Sequence, residues 1–75
     1  MSAEERLIKC FAAVFPELDE QQIRSATPTS VSSWDSVATI TLMSVIEEEF
    51  GIEVDSDHLE QLLSFDSALA YVSRS

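Results

Sequence analysis

A chain of 75 residues holds one domain and has no room for a second core, so an enzyme with a deep active site of its own is not expected. Its 14 acids against 4 bases give a net charge of −10, a field that repels nucleic-acid phosphates and anionic lipid surfaces and attracts basic protein patches. Hydrophobic content of 45% is ordinary for a folded domain, so the acidity does not imply disorder.

Residues 2–15 read as a first helix. Ser2 and Glu5 have the spacing of a capping box, Leu7, Ile8, Phe11, Val14 and Phe15 recur at helical intervals, and Pro16 ends the pattern. Residues 2–9 are too charged for a signal peptide. No apolar run approaches the roughly 20 residues that span a bilayer. The single cysteine, Cys10, excludes an internal disulfide and sits at the edge of the apolar face as a partly buried thiol. A cytoplasmic, reducing location and a monomer are therefore expected, with no membrane and no nucleic-acid partner.

Residues 16–35 form a long connection framed by Pro16 and Pro28, with hydroxyl residues crowding its second half. Leu18, Ile23, Val31 and Trp34 are the residues available to pin it to a core, and 19–24 suits a short helical turn. Residues 36–50 form the next helix, with Thr39, Leu42, Met43, Ile46 and Phe50 on one side. Gly51, the only glycine, falls where a left-handed helix cap is wanted. Residues 52–54 read as a short extended link and 56–63 as a brief helix with Leu59, Leu62 and Leu63 inward. Ser64 can cap a last helix from 65 to about 73, with Leu69 and Val72 buried. The expected fold class is all-α: a small bundle of three main helices plus one short helix.

Several patterns have plain readings. Asp55, Asp57 and Glu60 lack the ligand spacing and central glycine of a calcium loop and read as solvated acids at a helix start. One histidine, His58, and one cysteine cannot assemble a zinc set. Glu47, Glu48 and Glu49 read either as a solvated face at the helix end or, because they oppose the negative end of their helix dipole, as a docking point for a basic partner. The outward face of the same helix carries Val37 and Ile40, with Thr41 and Ser44 between, where a bundle helix is normally polar. These follow Asp35 and Ser36 at the positively polarised helix start, where a phosphate esterified to Ser36 would be favoured.

Trp34-Asp35-Ser36-Val37, followed by an amphipathic helix that ends Ile46-Glu47-Glu48-Glu49-Phe50-Gly51, resembles the acyl carrier protein family, whose signature is Asp-Ser-Leu with a helix of this kind and a Glu-Glu-Phe ending. The likeness extends over nearly the whole chain. It implies a carrier rather than an enzyme, with 4′-phosphopantetheine attached to Ser36 by a phosphopantetheinyl transferase that takes it from coenzyme A. Cargo would travel as a thioester to acyl-loading and acyl-transfer enzymes with basic docking patches. Asp35, Val37, Ile40, Thr41, Glu47 and Glu48 are the partner-contact residues so implied, and the helical bundle would part to shelter an alkyl chain. The chain departs from the family where acids are usual on the outward face, carrying Ala38 and Thr41, and it has Ser33 where glycine is common. Those departures predict a specialised member with its own partners. The alternative reading is a small acidic helical adaptor that docks basic partners without a prosthetic group.

Overall fold

The computed structural model describes residues 2–74. All its regular structure is helical: α1 (Ala3–Val14), α2 (Glu20–Arg24), α3 (Ser36–Phe50), a 3-10 segment (Ser56–Leu62) and α4 (Phe65–Arg74). The Ser2 hydroxyl accepts from Glu5 N–H at 3.2 Å and so starts α1. Leu7, Cys10 and Phe11 are its fully buried side, and Phe15 follows at the cap. Cys10 therefore lies deeper than the edge position expected for it.

The long connection is tied down along its length. The turn expected at 19–24 is α2, opened by a reciprocal capping box: Asp19 Oδ1 accepts from Gln22 N–H at 2.8 Å, and Gln22 Oε1 accepts from Asp19 N–H at 2.9 Å. Thr27 and Ser30 then close a turn on each other through hydroxyl and backbone bonds. Ile23, Val31 and Trp34 are buried, and Leu18 packs against the same core. Trp34 joins Phe11, Phe15 and Phe65 in an aromatic cluster with centroid separations of 5.2–6.4 Å. Truncating Phe11 at the centre of that cluster would cost about 3–5 kcal/mol.

Helix α3 has the limits expected of it. Asp35 caps its start by accepting from Ala38 N–H at 2.8 Å, and Gly51, at φ 66°, ends it in the left-handed region. Thr39, Leu42 and Ile46 are buried, with Met43 and Phe50 at the margin of the core.

The segment after the extended link differs from expectation. It winds as a 3-10 helix, whose three residues per turn place Leu59 and Leu62 in line and rotate Leu63 away. Leu62 is fully buried, Leu59 is partly buried, and Leu63 is 39% exposed rather than inward. Ser64 does cap α4, accepting from Ser67 N–H at 3.1 Å. Phe65, Ala68 and Val72 form the buried side of α4, which leaves Leu69 at the edge.

Ion pairs join the helices at the surface. Arg24 reaches Glu4 at 2.7 Å, and Arg6 reaches Glu49 at 2.8 Å while its guanidinium lies 4.6 Å from the centre of the Phe50 ring. Pairs as exposed as these are screened by solvent and add little to stability.

Candidate functional site

Ser36 is the first residue of α3 and is exposed. Its position is fixed from both sides by residues that do not need it. Before it, Trp34 is buried and Asp35 spends Oδ1 on the Ala38 N–H. After it, the Thr39 hydroxyl donates to the Asp35 carbonyl at 3.1 Å and accepts from Trp34 Nε1 at 2.8 Å. The Ser36 hydroxyl thus projects from a rigid loop–helix junction. Among the described residues, the Ser36 and Val37 N–H groups find no protein acceptor, so this end of α3 retains unspent donors and the positive end of the helix dipole.

A cleft of about 540 Å³ opens beside Ser36, between the first turns of α3 and the 3-10 segment. Thr39, Ile40, Leu59 and Leu63 supply much of its wall, and Asp57 and Glu60 add carboxylates. The sequence reading missed this role for the 3-10 residues, because it assigned Leu63 to the core and treated Asp57 and Glu60 as plain surface. The useful signal was the short apolar pair Leu62-Leu63, which a three-residue turn cannot bury together.

The remaining implied contact residues separate along α3. Val37 is 71% exposed and Ile40 54%, and Thr41 is exposed with its hydroxyl donating to the Val37 carbonyl at 2.9 Å. Glu47 and Glu48 lie about 17 Å from Ser36 at 1.5 Å per residue. The Glu47 carboxylate accepts from Val54 N–H at 2.7 Å, and Glu49 pairs with Arg6 through its carboxylate and its carbonyl. Glu48 is exposed.

Two carboxyl groups of the loops on either side of α3 are held below their usual range by a neighbouring side chain. The Ser33 hydroxyl, 2.6 Å from Glu17 Oε2, holds the Glu17 carboxyl below its usual range. His58 Nδ1, 2.6 Å from Asp55 Oδ1, does the same for Asp55 at the start of the 3-10 segment, and the His58 ring rests near Tyr71 of α4. Among the described residues no group of three or more His, Cys, Asp or Glu side chains is placed to hold a metal ion, and no helix is long and apolar enough to cross a membrane.

No protein-family model matches the chain. It is 32% identical over 72 residues to an acyl carrier protein of Nitratidesulfovibrio vulgaris, strain DSM 19637 / Miyazaki F, a match that covers 96% of this chain and 95% of that relative. It is also 32% identical over 73 residues to acyl carrier proteins of the DP4 and Hildenborough strains, covering 97% of this chain and 96% of each.

Proposed function

The chain belongs to the acyl carrier protein family, and on that premise we propose that it carries acyl intermediates as thioesters on a 4′-phosphopantetheine arm attached to Ser36. It is a carrier in acyl metabolism, without catalysis of its own. The whole of residues 1–75 acts as one carrier domain, monomeric and cytoplasmic, and serves enzymes of fatty acid, polyketide or other specialised acyl metabolism.

The observation that carries this reading is the placement of Ser36: exposed, first in α3, and at the lip of the cleft. The residues present fit the group. An exposed hydroxyl is reachable by a transferase, and the unspent N–H groups and dipole of α3 favour a phosphate there. The arm supplies a terminal thiol that holds the acyl cargo. Everything else falls to the chain. Ser36 Oγ loses its proton as it forms a phosphate ester and displaces the bisphosphorylated adenosine half of coenzyme A. Asp35 keeps the helix start in register, and Trp34 and Thr39 keep the junction rigid. Ile40, Leu59 and Leu63 offer apolar wall to the first carbons of a cargo, each buried methylene contributing about 0.8 kcal/mol.

The test is an intact mass after coexpression with a broad-specificity phosphopantetheinyl transferase. The wild-type chain gains the mass of one arm, and Ser36→Ala gains none. An unmodified wild type would leave the acidic adaptor as the better reading, and a modified Ser36→Ala would place the arm elsewhere.

A further inference from the structure

The 3-10 segment winds three residues per turn, so residues three apart stand above one another on one ridge. Asp57, Glu60 and Leu63 have that spacing, and all three line the cleft beside Ser36. Successive members of the ridge lie about 6 Å apart, at roughly 2.0 Å of rise per residue. The ridge therefore presents two carboxylates and then an apolar side chain to the same opening. Leu59 stands beside it, and the α3 wall contributes Thr39 and Ile40, which carry no charge.

Local stability accounts for one of the two acids. Asp57 lies in the first turn of the segment, where a negative charge suits the helix dipole. Glu60 lies past that turn, and like charges on neighbouring turns of one helix face repel each other. Among the described residues no cation lines the cleft to offset them. Arg6 is held by Glu49, Arg24 by Glu4 and Glu20, and His58 by Asp55. Among the described residues no third ligand joins the two acids in a group able to hold a metal ion. What complements this lining is a small organic cation on an apolar stem.

We propose that the cleft takes an amino-acyl cargo, a short methylene stem that ends in an ammonium group. The inference rests on the carrier reading of Ser36 and names the class of acyl group that the arm delivers. The stem lies on Ile40, Leu59 and Leu63, and the head stays at the wet rim between Asp57 and Glu60. Long cationic side chains settle on protein surfaces in the same way, with the stem out of water and the charge in it. A neutral acyl group of the same shape gains the apolar wall alone. A cargo that ends in a carboxylate meets two like charges at the rim and stays outside.

Three cargoes of nearly one size test this: β-alanyl, with an ammonium end, butyryl, its neutral isostere, and malonyl, with a carboxylate end. The broad-specificity transferase installs each on the full chain from its coenzyme A thioester. Mass spectrometry verifies the loaded arm first, so a failure of the carrier reading is seen there and a failure of this inference only in the spectra that follow. The readout is the displacement of the Ile40, Leu59 and Leu63 amide NMR signals from their positions in the unloaded holoprotein, at about pH 6, where the amine is charged. β-Alanyl should displace them about 3-fold more than malonyl in about 0.05 M salt, with butyryl between, and the difference should shrink in about 0.5 M salt. Asp57→Asn/Glu60→Gln keeps the side-chain shapes at two exposed positions. In that variant, with helix content by circular dichroism unchanged, the advantage of β-alanyl should vanish. Malonyl that displaces the wild-type signals as much as β-alanyl does, a difference indifferent to salt, or a β-alanyl advantage that survives in the double variant would each overturn the proposal.

Discussion

Trp34 Nε1 donates a 2.8 Å hydrogen bond to Thr39 Oγ1, and that hydroxyl in turn donates one to the Asp35 carbonyl at 3.1 Å. The relay joins the last buried residue of the long connection to the first buried residue of α3, with Ser36 in the span between them. Thr39→Val keeps the shape of the side chain and removes both bonds. It leaves the buried indole N–H without its acceptor, a loss of about 1–3 kcal/mol. For a domain of this size each kcal/mol lowers Tm by about 4–8 °C. Thr39→Ser retains the hydroxyl and should lie closer to wild type. Urea or thermal unfolding of the two variants checks this, and a Thr39→Val protein as stable as wild type would refute the relay.

Glu47 raises a different question, because it belongs both to the implied docking set and to the end of α3. Its carbonyl accepts from Gly51 N–H at 2.9 Å and Ile52 N–H at 3.2 Å, and its carboxylate accepts from Val54 N–H at 2.7 Å. One residue thus satisfies three donors where the chain turns out of the helix. Glu47→Gln keeps an acceptor for Val54 and should unfold near wild type. Glu47→Ala should lose about 1–2 kcal/mol, the lower range for a bond to a charged group because the site is half-exposed. Unfolding measurements on the pair separate this structural role from docking. A Gln variant that is stable yet impaired in arm transfer would show that the charge itself meets the transferase.

Much of the architecture is legible in short-range pattern, and the reason is local chemistry. The period of Thr39, Leu42 and Ile46, the acid before Ser36 and the lone glycine after Phe50 each act within one helix or its caps, so α3 can be read residue by residue. The same holds for the Ser64 cap of α4. The 3-10 segment is different. Whether Leu62 and Leu63 share a face depends on three or 3.6 residues per turn, and tertiary packing against α3 and α4 decides that. The cleft inherits the same uncertainty, since its far wall is that segment. The Glu47 to Val54 bond was hidden for a related reason, because it requires the chain to reverse after Gly51 before the two groups meet.

Acid stability offers a third prediction through the bond from Ser33 to Glu17, which ties the start of the long connection to the residue two before Asp35. The hydroxyl, helped by Glu17's own backbone N–H, holds the carboxyl below its ordinary value. A depressed folded-state pKa means that the unfolded chain takes up the proton first as pH falls. The contribution is present above the unfolded value and disappears as pH drops through the lower folded one. Ser33→Ala should return the Glu17 carboxyl toward 4.5 and remove that part of the acid dependence. An NMR titration of the Glu17 side chain reads this directly, and an unchanged midpoint in Ser33→Ala would assign the depression to another cause.

Cys10 supplies the last prediction, because under the proposed reading the working thiol is the arm's and the chain's own thiol must stay out of play. Cys10, on the buried side of α1, is 2% exposed, and burial, with a lesser push from the Glu49 charge, raises its pKa from 9.0 to about 11. Each pKa unit is a factor of ten in ionisation, so the thiolate at neutral pH is roughly 100-fold scarcer than at the ordinary value. The thiolate is the reactive species, and the packed core blocks the reagent as well. The folded apo protein should therefore resist maleimide at neutral pH on the timescale in which a small exposed thiol is consumed. The holoprotein should take up one equivalent quickly, on the arm, and both forms should gain one more in denaturant. Mass spectrometry of the labelled proteins decides the matter. Labelling of the folded apo form as fast as that of the holo form would mean that α1 opens often enough to expose Cys10, and that the buried thiol competes with the arm for activated acyl groups.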